Sequence, residues 1–558
     1  MRRNSLNKRI LIVKLLLLLW SLGIVFRLFQ IQILKQERMK LLVAVQHEER
    51  VELIPRRGKI LDRRGRLLAI SLPVYSAFLH PPWPSKKELA EMGKVLGLSD
   101  RQLERLKKRM GGGRKFLWLK RKLSDREYLE LKALKIEGLG FQKENKRFYP
   151  HRTLACHLLG GVGIDEQGLA GVEFYYDKEV GGEKGEAIFL MDAAGEPVKK
   201  ILTRPMVPGA DLVLTIDTTI QLTAEEVLAK TVRKFRAKRG AVVVMNPYNG
   251  EILAMASYPP YDPNFYSSYF RRKRYYLRNN AISFSYEPGS TVKFVPIAAV
   301  LELGLLDYNS TIYCEEGQVR VLGVTIRDHK PFGLLSLRDV LVYSSNVGAI
   351  KVATKLSDRE FYRYLLKFGF GRKTRIDLPG EEAGLLLPYN RWYRSARAFF
   401  AIGQGIAVTP LQLAVATSVI ANGGYLVRPH VVKEIRKGSR IKEISTASRR
   451  VLSGKVARQI KEMMLGVVER GTGVKARLGW IKVAGKTGTA EKLNGNGKRY
   501  TASFVGFAPF ERPELVIVVV VDEPRGAHFG GEVAAPAFRE LAEFSLMQKN
   551  IFPEMVRR

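Results

Sequence analysis

Glu287-Pro288-Gly289-Ser290-Thr291-Val292-Lys293 is the stretch on which the reading of this chain turns. Pro288 and Gly289 make a turn, and the apolar run over residues 294–303 reads as a buried helix. Ser290 then falls at or just before the first helical turn. Lys293 lies three residues on along the same face, where its amine can reach the hydroxyl. A serine needs a base to take its proton, and a lysine serves if burial and neighbouring cations bring its pKa down from about 10.4. The helix start adds N–H groups and positive potential where an oxyanion would develop. Pro296 should kink the helix or remove one hydrogen bond early in it. The spacing alone favours a plain helix N-cap for Ser290, because Ser5–Lys8 and Ser439–Lys442 repeat the Ser-x-x-Lys pattern elsewhere.

A chain of 558 residues implies two or three domains, and 46% hydrophobic residues exclude a mainly disordered or fibrous protein. The formal charge of +39 points first to nucleic acid. The N-terminus points elsewhere. Residues 10–26 are apolar except for Lys14, and the pattern continues weakly to Leu34, which is long enough to cross a bilayer as a helix. Arg2, Arg3, Lys8 and Arg9 precede it, so the N-terminus is expected in the cytoplasm and everything after about residue 35 outside. No small-x-small cleavage site follows, which makes the segment an uncleaved signal anchor in the cell (inner) membrane. Nucleic acid is therefore not the expected partner, and the excess charge faces anionic lipid headgroups or an anionic wall polymer. Residues 105–122 carry nine Lys/Arg and no acid around Gly111-Gly112-Gly113 and Phe116-Leu117-Trp118. A solvated basic face is the favoured reading of that stretch, and a polyanion site the second. Cys156 and Cys314 lack metal-type spacing, so no zinc site or disulfide framework is implied, and a single bridge is left open.

The chain after the anchor alternates. Residues 57–69 contain a D-R-R-G turn and read as a hairpin, residues 85–137 read as helical, and His151 and His157 are taken as structural. Near Pro208-Gly209 the texture changes. Residues 211–216 read as a strand and 221–238 as a helix, and 240–245 and 251–257 form a hairpin through Pro247-Tyr248-Asn249-Gly250. Helical patterns follow to about residue 470. Residues 480–492, 501–509 and 515–522 are strands again, the first two joined through Asn494-Gly495-Asn496-Gly497. Outer strands around a helical middle imply an antiparallel sheet packed with helices, an α/β layered domain beside an all-helical part.

Two more motifs lie in that domain. Ser344-Ser345-Asn346 stands at a helix start, and Lys486-Thr487-Gly488-Thr489 lies on or at the end of the 480–492 strand. There Gly488 allows close backbone approach, while the hydroxyls and the ammonium can hold a carboxylate. Gly485-Lys486-Thr487 is not a phosphate loop, since glycine is missing at Trp480 and no helix follows. Ser-x-x-Lys, Ser-x-Asn and Lys-Thr-Gly, with 54 and 142 residues between motif starts, form an ordered set that resembles the penicillin-recognising serine acyltransferases.

The resemblance extends over nearly the whole chain. Residues 57–69 and Gly168-Leu169-Ala170-Gly171-Val172-Glu173 look like the pedestal of class B penicillin-binding proteins. Gly403-Gln404-Gly405-Ile406-Ala407-Val408-Thr409-Pro410 and Phe529-Gly530-Gly531-Glu532-Val533-Ala534-Ala535-Pro536 look like segments of their transpeptidase domain. The Ser290 stretch is more similar to the division-specific (FtsI-type) branch than to the elongation branch. Pro296 and Ala401 depart from the pattern. The resemblance implies a cytoplasmic tail (1–9), the anchor (10–34), an α+β pedestal (35–205), a penicillin-binding transpeptidase fold (206–545) and a C-terminal tail (546–558).

It also implies D,D-transpeptidation between peptidoglycan stems and sensitivity to β-lactams. Ser290 would be the nucleophile and Lys293 its base, with backbone N–H groups of Ser290 and Thr489 as oxyanion hole. Ser344 would pass a proton to the departing D-Ala amine, and Asn346 would hold the donor stem. Lys486, Thr487, Gly488 and Thr489 would bind its terminal carboxylate. No metal or organic cofactor is implied. The implied partners are donor and acceptor stems and a SEDS-type membrane glycosyltransferase. An elongation-type class B transpeptidase is the first alternative; a membrane β-lactam sensor, a β-lactamase-like protein and a non-catalytic division scaffold are the other readings, and the three intact motifs weigh against the last.

Overall fold

The computed structural model describes all residues except 1, 35–47, 111–113, 192–196, 493–497 and 553–558. The described chain divides into two compact units, Met1–Arg56 with Gly182–Pro208, and Arg57–Gly181 with Gly209–Arg558. In the first, a helix spans Arg2–Phe29 and widens into a π-type turn at Gln30–Leu34. Its Arg9–Ile33 portion is long and apolar enough to cross a membrane. A three-stranded antiparallel sheet of Glu48–Leu53, Gly185–Met191 and Pro197–Arg204 completes this unit.

The second unit is built on a five-stranded antiparallel sheet. Its strands are β1 (Arg239–Met245), β2 (Ile252–Tyr258), β3 (Ala484–Lys492), β4 (Arg499–Ala508) and β5 (Leu515–Asp522), in the spatial order β2-β1-β5-β4-β3. Every residue of β5 is buried, as a central strand covered on both faces requires. One face packs on α1 (Thr218–Lys234) and, at the far end of the chain, on a helix of residues Ala535–Gln548. The other faces a helical lobe that includes α2 (Phe294–Glu302), α3 (Leu337–Val342), α4 (Asn346–Thr354), α5 (Pro410–Ala421) and α6 (Gly454–Glu469). All twelve residues of α5 are buried, and it opens with Pro410 at the first helical position behind a Thr409–Gln412 capping box. β3 is an edge strand, so its outer side is open to a ligand.

Several elements differ from expectation. A strand, Leu117–Lys120, interrupts the helical stretch and pairs with the long strand Leu67–Leu79. Lys120, Arg121 and Lys122 of the basic stretch are taken up in ion pairs with Glu127, Glu144, Asp165 and Glu166. Trp480 lies outside β3, which begins at Ala484, and the β3–β4 turn expected at residues 494–497 falls outside the described residues. Four short strand pairs, among them Gln318–Val321 with Val324–Arg327, interrupt the expected helical middle. Pro296 stands in the first turn of α2, where its missing N–H is no loss. Cys156 and Cys314 are buried free thiols, and buried His157 hydrogen-bonds the Tyr276 carbonyl at 2.8 Å.

The hairpin expected at residues 57–69 is present, with Ile60–Leu61 paired to the start of Leu67–Leu79. The Asp62 carboxylate shapes its turn by accepting the N–H groups of Arg64 and Arg66. Arg63 and Arg64 then pair with Glu251 and Asp217, which ties the hairpin to the start of β2 and the cap of α1. Deeper in, Glu173 is fully buried between Arg57 (2.8 Å) and Arg147 (2.6 Å), with the Tyr149 hydroxyl donating at 3.2 Å. Burial alone would raise the Glu173 carboxyl, yet Arg147 and Arg57 hold it below its ordinary value. A carboxylate with a depressed pKa stabilises the fold above its unfolded pKa, and that stabilisation is lost as pH falls through the folded value. Glu173→Gln, which leaves buried Arg147 without a carboxylate and Arg57 with Asp177 alone, should therefore lower unfolding free energy by about 3–5 kcal/mol in denaturant titrations at pH 7. A loss under about 1 kcal/mol would show the cluster to be dispensable.

Candidate active site

The Ser290 turn is a short 3-10 helix, Gly289–Val292, that runs into α2. Gly289 adopts φ +56°, and a Cβ there would stand 2.7 Å from the Thr489 carbonyl oxygen. Gly488 answers from β3, where a Cβ would meet Ser503 Oγ at 2.5 Å and the Pro288 oxygen at 2.7 Å. The turn and the edge strand thus touch backbone to backbone, and two glycines permit it. The N–H of Ser290, second in its turn, has no intrahelical acceptor. Among the described residues the Ser290 hydroxyl makes no hydrogen bond, and it lines a cleft of about 700 Å³.

Lys293 and Lys486 are both fully buried. The Lys293 amine does not turn to Ser290 as the spacing suggested. It donates to the Ser344 carbonyl and to Asn346 Oδ1, each at 2.6 Å, and stands 3.4 Å from Ser344 Oγ. The Lys486 amine meets the same Ser344 hydroxyl at 2.9 Å and the Thr487 carbonyl at 3.1 Å. Ser344 manages this with φ +60°, a strained conformation for a serine that brings its carbonyl and its hydroxyl to one amine. Burial pushes Lys293 down to about 7, while Asp328 pulls it up. Burial first, and then the Lys293 charge, pushes Lys486 well below its ordinary value. A neutral Lys293 would spend two N–H groups on its two short bonds and keep a lone pair free for a proton.

The other motif residues gather around this centre. Thr487 Oγ1 is 2.7 Å from Thr472 Oγ1, and Thr489 Oγ1 accepts the Gly530 N–H at 3.0 Å. Ser345 caps α4 through the Gly348 N–H. Ser290, Ser344, Asn346, Thr487 and Thr489 all line the cleft, with Lys293, Lys486 and Gly488 directly behind them. Ser439 and Lys442 lie instead at an exposed hairpin with none of these partners. Among the described residues no group of three or more His, Cys, Asp or Glu is placed to hold a metal.

Two neighbours escaped the sequence reading. Asp328 accepts Ser345 Oγ at 2.6 Å and the N–H groups of Asn346 and Val347, and Thr472 orients Thr487. The only signal for Asp328 was the alternation of residues 318–327, which marks a strand end without saying what the acid faces.

The sequence profile of the penicillin binding protein transpeptidase domain matches residues 240–543, and that of the penicillin-binding protein dimerisation domain matches residues 52–214. Stage V sporulation protein D of Bacillus subtilis is 35% identical, over 98% of this chain and 87% of that protein. Peptidoglycan D,D-transpeptidase FtsI of Escherichia coli K12 is 33% identical, over 89% of this chain and 84% of the relative. Among solved structures, penicillin-binding protein 3 of Mycobacterium tuberculosis in complex with aztreonam superposes with a TM-score of 0.71 at 27% identity, covering 90% of this chain and 98% of that one. With both family profiles matched and relatives aligned along most of its length, this protein belongs to the class B penicillin-binding proteins, the peptidoglycan D,D-transpeptidase family.

Proposed function

We propose that the chain cross-links peptidoglycan stem peptides through an acyl-enzyme on Ser290, in septal wall synthesis. One observation carries the mechanism: two buried lysine amines converge on the Ser344 hydroxyl beside an unbonded Ser290 hydroxyl in an open cleft. Ser290 Oγ attacks the carbonyl carbon of the penultimate D-Ala, and its proton passes to the lone pair of neutral Lys293. The N–H groups of Ser290 and Thr489 hold the oxyanion. When the C–N bond breaks, Ser344 hands a proton to the departing D-Ala amine and is resupplied from a lysine. Thr487 and Thr489 receive the terminal carboxylate, with Gly488 keeping the strand close and Lys486 supplying positive charge behind them. Asn346 bonds the donor amide. An amine of a second stem then attacks the ester and frees Ser290.

The septal assignment draws on the Ser290 stretch and on relatives named FtsI. A sporulation-stage protein at 35% identity supports a second reading, a specialised wall-building role. The apolar Arg9–Ile33 helix supports a single-pass anchor with the catalytic unit outside the cell membrane. The proposed division into a 35–205 pedestal and a 206–545 transpeptidase domain draws support from a dimerisation profile that ends at residue 214 and a transpeptidase profile that begins at residue 240. A SEDS-type glycosyltransferase is the proposed source of fresh glycan strands.

A β-lactam should form a stable ester at Ser290, mapped by mass spectrometry of the labelled peptide. Ser290→Ala should abolish labelling without unfolding the protein, and an ester at Ser439 would contradict the assignment. The pH dependence has a definite sign. Lys293 must be neutral to accept the proton, so acylation should rise through a midpoint near 7 and fall about tenfold per pH unit below it. A rate that is flat from pH 5 to 9 would remove Lys293 as the base. Lys486→Ala should slow acylation at least about tenfold with little change in melting temperature, because it weakens recognition more than fold. Arginine should rescue poorly, its planar fork being too large for a compact, buried ammonium site.

A further inference from the structure

The buried centre holds two lysines, and one carboxylate, Asp328, holds the Ser-x-Asn loop that contacts them. Asp328 stands at the foot of the hairpin Gln318–Val321/Val324–Arg327. Its two oxygens are fully committed to the Ser-x-Asn loop. Oδ2 accepts the Ser345 hydroxyl at 2.6 Å, while Oδ1 accepts the N–H groups of Asn346 and, at 3.2 Å, Val347. These N–H groups open α4, whose positive end would otherwise point toward Lys293. The preceding residue acts with it. The Arg327 carbonyl accepts Asn346 Nδ2 at 2.8 Å, which fixes the amide so that Oδ1, not Nδ2, meets the Lys293 amine. The hairpin thus decides which way Asn346 points, and Asn346 decides where the Lys293 lone pair is aimed.

We propose that Asp328 is a positioning residue for the Ser290 reaction: it locks the Ser344–Asn346 loop against Lys293 and supplies a negative charge behind that loop. This rests on the acyl-enzyme reading. Around Lys293 stand Lys486 from β3, whose own protonation Lys293 opposes, and Asp328 and His329 from the hairpin foot, of which Asp328 favours a charged Lys293. Removing the Asp328 charge takes that support away and makes Lys293 harder to protonate, so its titration must move down, not up.

The test is the pH profile of penicillin acylation for the full chain in detergent, native against Asp328→Asn and Asp328→Ala. Native protein acylated at Ser290 with a midpoint near neutrality upholds the underlying reading, and a native protein that is not acylated there overturns both. Given that, Asp328→Asn keeps the shape of the carboxylate, and its midpoint should fall by about one pH unit with the melting temperature nearly unchanged. Asp328→Ala also frees the loop and should acylate at least about a hundredfold more slowly at its plateau, the loss expected when a positioned general base is misaimed. A midpoint that stays at the native value in the asparagine variant overturns the proposal whatever its rate, as does an alanine variant that acylates like the native protein. Should the alanine variant fail to fold, the asparagine midpoint decides alone.

Discussion

Two buried lysine amines sharing one serine hydroxyl at the wall of the cleft is the constraint from which the rest of this site follows. An ammonium deprived of water is costly, and two within reach of one oxygen are more so. The protein meets that cost with acceptors: the Ser344 carbonyl, Asn346 Oδ1, the Thr487 carbonyl and Ser344 Oγ itself. The remaining imbalance appears as a lowered proton affinity, which is what a general base at neutral pH needs. Strain at Ser344 belongs to the same bargain, since a serine at φ +60° persists only where its surroundings over-determine it.

The fold supplies those surroundings from both sides. The five-stranded sheet presents β3 as its open edge, rigidly paired to β4 along nine residues, so Lys486 and the two threonines are set by a ladder rather than a loop. The helical lobe presents the Ser290 turn and α4, and the two halves meet where Gly488 faces Pro288 and Gly289 faces Thr489. Asp328 then fastens the Ser-x-Asn loop from behind. The buried Arg57–Glu173–Arg147 cluster does a comparable service for the hairpin segment that packs beside the catalytic sheet.

Much of this was legible in the residues, for physical reasons that vary by element. β5 was read to the residue because a strand buried on both faces is an unbroken apolar run, and β1–β2 to within one residue at each end because a Pro-Tyr-Asn-Gly turn separates two such runs. The Leu117–Lys120 strand was not, because four residues carrying a lysine among eight basic neighbours show no usable period. The motif residues were found by type and order, but the aim of Lys293 was not. Helical spacing puts it on the face of Ser290, whereas the competing acceptors that turn it toward Ser344 lie more than fifty residues away. Glu173 and Asp328 were missed for the same reason: partners 116 and 17 residues distant leave no local pattern.

The account stands on the protonation state of one side chain. Site-resolved NMR titration of the Lys293 side chain, assigned by comparison with Lys293→Arg, reads it directly and without substrate. The account predicts a midpoint close to 7, well below every exposed lysine in the same spectrum. A Lys293 signal that titrates with the exposed lysines, near pH 10.4, would mean an ammonium at neutral pH and would leave Ser290 without its base.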